Sequence, residues 1–140
     1  MAADAPVVVV CGSRRWWSHA RVTLALLKVW SPRFAALWHG AARGPDLFAD
    51  AFARRCEIPV RAWLADWDRY GQAAGVRRSA EMIAAAPPGS VCVAFVLGRL
   101  ADSRGTAHTV RLALRRGLRC LVVDNSGQSE WLEPEACLFA

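Results

Sequence analysis

Three short turns of this chain each carry glycine with arginine. They are Cys11-Gly12-Ser13-Arg14, His39-Gly40-Ala41-Ala42-Arg43-Gly44 and Ser103-Arg104-Gly105-Thr106. The first two follow the apolar runs Val7–Val10 and Phe34–Trp38; the third lies a few residues beyond Val91–Leu97. Each leads into a helix-like stretch. A glycine turn between a strand and a helix presents free backbone N–H groups at the positive end of the helix, a setting that favours an anion and above all a phosphate. Arginine adds a planar, permanently charged fork for bidentate contact. Three such turns in one chain predict a site for a phosphorylated small molecule.

The individual residues divide as follows. Gly12, Ser13 and Arg14 read as a phosphate-contacting turn, or else as an ordinary strand-to-helix turn. Gly40 and Gly44 let backbone approach a ligand, and Arg43 is a phosphate ligand. Asp46 either caps the next helix or holds a ribose hydroxyl. His39 reads as a hydrogen-bonded structural residue. Asp66 and Trp67, with Tyr70 and Gly71, form an acidic, aromatic loop that either stacks and holds a base or anchors the end of a strand. Arg77 and Glu81 stand four apart and read as a surface ion pair, leaving Arg78 as the ligand arginine. Arg104, Gly105 and Thr106 form the last anion turn, with Thr106 as the expected helix cap. No catalytic residue is assigned: Ser13 and Ser103 lack a histidine–acid partner, and no nucleophile-elbow spacing occurs. Neither a metal nor a cofactor is expected.

The elements needed to position these turns can be read from periodicity. Pro6–Cys11, Phe34–Trp38, Pro59–Leu64, Val91–Leu97 and Leu118–Asp124 are predicted strands. Between them, helices are predicted over about His19–Trp30 (capped by Ser18), Pro45–Arg55, Gln72–Ala86 and Thr106–Arg116 (closed by Gly117). Ala65–Gly71 and Gly98–Gly105 are expected loops. The tail from Asn125 begins as loop, with Glu135–Phe139 as a possible short edge strand. The alternation predicts an α/β, Rossmann-like three-layer sandwich with a mainly parallel five-stranded sheet and helices on both faces. Ligands of such sheets bind beyond the carboxyl ends of the strands, where the strand order reverses.

Composition sets the outer bounds. At 140 residues, 54 % hydrophobic and 21 % charged, the chain is ordered and is one domain. Residues 7–123 are its expected core and 124–140 a C-terminal tail. No apolar run reaches the roughly 20 residues that span a bilayer, and Val7–Cys11 reads as a strand rather than a leader's apolar core. The five cysteines have no metal-ligand spacing and read as reduced residues of a cytoplasmic protein. The net charge of +6 comes almost wholly from arginine, since Lys28 is the only lysine. That charge is compatible with nucleic acid, but the arginines are spread along the helices rather than clustered. Seven tryptophans and the apolar helices favour a homodimer.

Four stretches carry a resemblance to a known family: VVVCGSRRW (Val8–Trp16), HGAARGPDLFAD (His39–Asp50), ADWDRYGQAAGVRRSAEM (Ala65–Met82) and RGTAHTVRLALRRG (Arg104–Gly117). With the strands between them, they resemble the YspA-like branch of the SLOG superfamily, which also includes the LOG (lysine decarboxylase-like) and DprA/Smf proteins. The resemblance implies a Rossmann-like nucleotide-binding domain whose ligand is a nucleotide or a nucleotide-derived signal. The chain departs from the pattern in three places. Arg104 precedes Gly105-Thr106 where this branch has a second glycine, and Ser79 stands where asparagine is commoner. Thr109 occupies the position of the glutamate with which LOG enzymes cleave the N-glycosidic bond of nucleoside monophosphates. A threonine cannot supply that carboxylate. The expected function is therefore binding or sensing of a phosphorylated nucleotide rather than catalysis. The alternatives are LOG-like hydrolysis, with Glu81 or Asp66 supplying the charge, and single-stranded DNA binding as in the DprA relatives.

Overall fold

The computed structural model describes residues 5–134. Its elements alternate along the chain: β1 (Val8–Gly12), α1 (His19–Val29), β2 (Leu37–His39), α2 (Pro45–Arg55), β3 (Val60–Ala62), α3 (Trp67–Tyr70), α4 (Ala74–Ala85), β4 (Val91–Val96), α5 (Arg104–Arg116), β5 (Arg119–Asp124) and β6 (Ser129–Leu132). One sheet runs in the order β3-β2-β1-β4-β5-β6. Its first five strands are parallel, and β6 pairs antiparallel with β5. The sheet is α/β and mostly parallel as expected, but it has six strands, not five.

The sixth strand arises from a tight turn. The Asp124 carboxylate accepts hydrogen bonds from the Ser126 and Gln128 N–H groups and the Ser126 hydroxyl, while Gly127 takes a φ of 93°. The chain reverses and lays Trp131 opposite Leu121. Asn125-Ser126-Gly127 is turn chemistry legible in sequence, but the four-residue strand after it is too short to declare a period. The possible strand at Glu135–Phe139, and Cys137, lie outside the described residues.

Two cores sandwich the sheet. Val8, Val10 and Phe95 pack under α1 and α2 with Val22, Leu26, Ala49 and Phe52. Val9, Cys92, Ala94 and Cys120 pack under α4 and α5 with Met82, Ile83, Val110 and Ala113. Alternate residues of β1 thus serve opposite cores, as a pleated strand requires. All six residues of β4 are buried, which explains its unbroken apolar sequence.

Local signals account for most helix boundaries. The Ser18 hydroxyl accepts from the Arg21 N–H at 3.2 Å and caps α1. Ser18→Ala should lower stability by about 1 kcal/mol, readable as a shifted denaturant midpoint at constant slope. Pro45 opens α2, and Gly117 closes α5 at a φ of 96°. Other expectations are corrected. β2 covers Leu37–His39 rather than Phe34–Trp38, with Phe34 joining the core from outside it, and β3 covers Val60–Ala62 rather than Pro59–Leu64. The expected loop Ala65–Gly71 contains α3, because the Asp66 carboxylate accepts the Arg69 N–H and starts a helical turn. A further 3₁₀ turn over Gly71–Ala73 joins it to α4. α5 starts at Arg104, so its capping position is Ser103 rather than Thr106.

Candidate functional site

The strand order reverses between β1 and β4, and there the carboxyl ends of the strands open onto a cleft of about 580 Å³. Its floor is the end of β1. One wall is α4 and the 3₁₀ turn before it; another is the start of α5; the loop after β2 closes a third side. Of the residues expected at the site, Gly12, Ser13, Arg14, Gly40, Asp46, Trp67, Arg78, Arg104, Gly105 and Thr106 line this one cleft. Arg43, Gly44 and Asp66 do not.

Each of those three has a different place. Arg43 is exposed and borders a neighbouring hollow. Gly44 stands at the N-terminal boundary of α2 with a φ of 85°, where an added Cβ would come within 2.8 Å of the Ser13 carbonyl oxygen; it serves the turn. Asp66 caps α3.

Asp46 neither caps α2 nor faces solvent. It is only 5 % exposed, and its Oδ2 accepts hydrogen bonds from the N–H of Gly40 at 2.9 Å and of Ala42 at 3.2 Å. It therefore pins the loop after β2 from below. Burial pushes its carboxyl above the ordinary range; the bonds from Ala42 and Gly40 and the charge of Arg78 pull the other way. His39 locks the same loop. Its Nδ1 accepts the Ala41 N–H at 2.9 Å, and its Nε2 donates to Asp50 at 2.9 Å, which in turn holds Arg54 at 2.7 Å. Both ring nitrogens are engaged, which fits the structural reading of this histidine.

Arg78 reaches from α4 across to this loop. Its guanidinium donates to the Gly40 carbonyl oxygen and lies where a side chain on Gly40 would stand, 2.5 Å from an added Cβ. Burial depresses the Arg78 guanidinium pKa; the Asp46 charge opposes this and the charge of Arg14 adds to it. Arg14 sits over the indole of Trp67, 5.5 Å from the ring centroid. Trp67 is 50 % exposed, a large aromatic face at the cleft mouth.

The start of α5 supplies the other cationic locus. Among the described residues no side chain caps this helix, and its first internal bond runs from the Ala107 N–H to the Ser103 carbonyl oxygen. The N–H groups of Arg104, Gly105 and Thr106 thus open the helix with the positive end of its dipole at the cleft. Thr109, one turn on, lines the cleft and donates its hydroxyl to the Gly105 carbonyl oxygen at 3.1 Å.

Several lining residues escaped the sequence reading, among them Cys11, Gln72, Ser79, Asp102 and His108. Helical spacing finds some of them once Arg78 and Gly105 are chosen: Gly75, Ser79 and Met82 share the face of Arg78, and His108 and Thr109 that of Gly105. Cys11 lies 3.9 Å, sulfur to sulfur, from the buried Cys92. Among the described residues, the carboxylates lining the cleft are Asp46 and Asp102, the latter exposed and paired with Arg99 at 3.2 Å. Glu81 is exposed and points away, and Asp66 is engaged in its cap. Among the described residues no group of three metal-ligating side chains gathers, and no helix is long and apolar enough to cross a membrane.

Comparison with known proteins gives two likenesses. The family described as YspA, cpYpsA-related SLOG matches residues 6–70, from β1 through α3. The protein called Gene 61 protein of Mycobacterium phage D29 is 39 % identical over 118 residues, covering 79 % of this chain and 90 % of that protein. No solved structure matches the chain.

Proposed function

Since the chain belongs to the YspA/cpYpsA-related SLOG family, we propose that its cleft binds a small phosphorylated nucleotide or nucleotide-derived signal. One observation carries this reading: Arg14, Arg78, Arg104 and the uncapped start of α5 converge on a single cleft at the reversal of strand order. A phosphate at the start of α5 receives backbone N–H donors together with charge-assisted bonds from Arg104, and one on another wall receives the forks of Arg14 and Arg78. Trp67, half-exposed beside Arg14, offers the flat apolar surface that a base requires.

Binding without cleavage is the chemistry this arrangement supports. Glycosidic cleavage needs a carboxylate to protonate the leaving group or stabilise the developing cation. Thr109 carries no charge, and its hydroxyl is turned to its own helix. Asp46 spends one oxygen on two backbone N–H groups, and Asp102 is held by Arg99.

Calorimetry tests the binding. AMP and ADP are expected to bind and adenosine to bind at least tenfold more weakly, because the arginines recognise phosphate. Equal affinity for adenosine and AMP would remove the phosphate site. Chromatography tests the chemistry: AMP incubated overnight with the protein is expected to release no adenine above a protein-free control. Adenine release that disappears in Asp102→Asn or Asp46→Asn would make the protein a hydrolase.

A further inference from the structure

A second hollow of about 460 Å³ adjoins the cleft. Both have the size of small-molecule sites, roughly 300–1,000 Å³. They share one wall, on which Arg14, Arg78 and Trp67 stand, so the stacked Arg14–Trp67 pair is a partition between two compartments rather than the edge of one. The far compartment is bounded by Arg43 and by Leu64, which is 75 % exposed.

We propose that the second hollow holds the distal half of a dinucleotide, two nucleosides joined through a diphosphate that crosses the partition between Arg14 and Arg78. The inference rests on the nucleotide reading of the first cleft. Its starting point is that the cationic groups form two loci, not one. Arg104 and the N–H groups opening α5 stand on one wall, Arg14 and Arg78 on the partition. A single phosphate engages one locus and leaves the other without a counter-charge; a diphosphate reaches from one towards the other. Arg14 and Arg78 also repel: the charge of Arg14 depresses the Arg78 pKa, in addition to the larger effect of burial. An anion passing between them relieves that repulsion.

The composition of the far compartment fits a base and sugar better than a third phosphate. Beyond the partition it offers one exposed arginine, Arg43, beside the exposed apolar side chain of Leu64. A planar base packs on that surface, and Arg43 remains for a sugar hydroxyl or a phosphate edge.

Calorimetry with ADP and with diadenosine diphosphate tests this. The dinucleotide is expected to bind at least tenfold tighter than ADP. Leu64→Asp, an exposed substitution that should leave the melting temperature unchanged, is expected to erase that advantage while ADP affinity stays within twofold; Arg43→Ala should reduce it in part. If ADP binds and the dinucleotide binds no tighter, the second compartment is refuted and the nucleotide cleft stands. The same holds if Leu64→Asp weakens both ligands equally. If neither ligand binds, both readings fall.

Discussion

Arg78→Ala is expected to weaken ADP binding by about 1.5–3 kcal/mol, the range for a charge-assisted hydrogen bond to an ionised group. That is roughly 10- to 150-fold in Kd by calorimetry. Arg78 is singled out because its guanidinium is half-buried, stands on the shared wall of both compartments and is held by the Gly40 carbonyl oxygen before any ligand arrives. A preplaced fork loses little freedom on binding. Arg78→Lys should recover only part of the loss, since a point charge cannot reproduce the fork. Arg77→Ala is the control: Arg77 is exposed and its guanidinium sits 4.0 Å from the Tyr70 ring centroid, away from the cleft. Unchanged ADP affinity in Arg78→Ala would take the phosphate away from this wall.

Asp46→Ala is expected to cost about 2–4 kcal/mol of stability, because it leaves the Gly40 and Ala42 N–H groups without their acceptor in a mostly buried place. For a chain of this size that corresponds to a melting temperature lower by on the order of 10 °C. ADP binding should fall with it, since the loop that carries Gly40 under Arg78 loses its anchor. Asp46→Asn separates the two roles of the carboxylate. A single oxygen accepts both bonds, so the amide oxygen can replace it and most of the stability should remain.

The charge is a different matter. Burial raises the folded pKa of Asp46 above the ordinary 3.8, so its favourable contribution is complete below 3.8 and is lost as pH rises through the raised value. Above that raised value the buried ion is a burden that Asp46→Asn removes, along with a negative charge beside Arg78. Urea titrations across pH should show the acid-side stability difference between the two proteins shrinking or reversing towards neutrality, and ADP should bind Asp46→Asn no more weakly than the native chain. Asp50 and Asp124 behave in the opposite sense. The hydrogen bond from Arg54 lowers Asp50, and that from the Ser126 hydroxyl lowers Asp124. Their contributions are present above 3.8 and are lost as pH falls through their folded values. A variant Asp46→Ala as stable as the native protein would mean that the loop after β2 holds itself.

What could be read from the amino-acid order alone was what neighbouring residues decide among themselves. The apolar run of β4, the capping hydroxyl of Ser18, Pro45 at the start of α2 and Gly117 at the end of α5 act within a turn or two of chain, and all were legible. So was the α/β alternation, and with it the gathering of turns at one end of the sheet. Features that need a distant partner were not legible. The strands β2 and β3 were expected, but their three-residue bounds were not, because those depend on pairing, β2 with β1 and β3 with β2. β6 depends in the same way on β5 and on the turn that Asp124 organises.

The division is sharper at the site. Arginines 14, 43, 77, 78 and 104 have identical chemistry, and sequence spacing could favour Arg78 over Arg77 but could not exclude Arg43. The crossing of α4 over Gly40 gives Arg78 and Arg43 different places, laying Arg78 on the loop in the cleft and leaving Arg43 on the outer side of the partition, where it borders the second hollow. The same helical phase that turns Arg78 and Met82 inward carries Glu81 out to solvent. Asp46, a plausible cap by position, became the buried pin of its own loop because residues 40–42 fold back over the start of α2. Local propensity sets where elements begin and end. The direction in which a side chain faces the cleft is set by packing between elements far apart in the chain, and only the tertiary structure decides it.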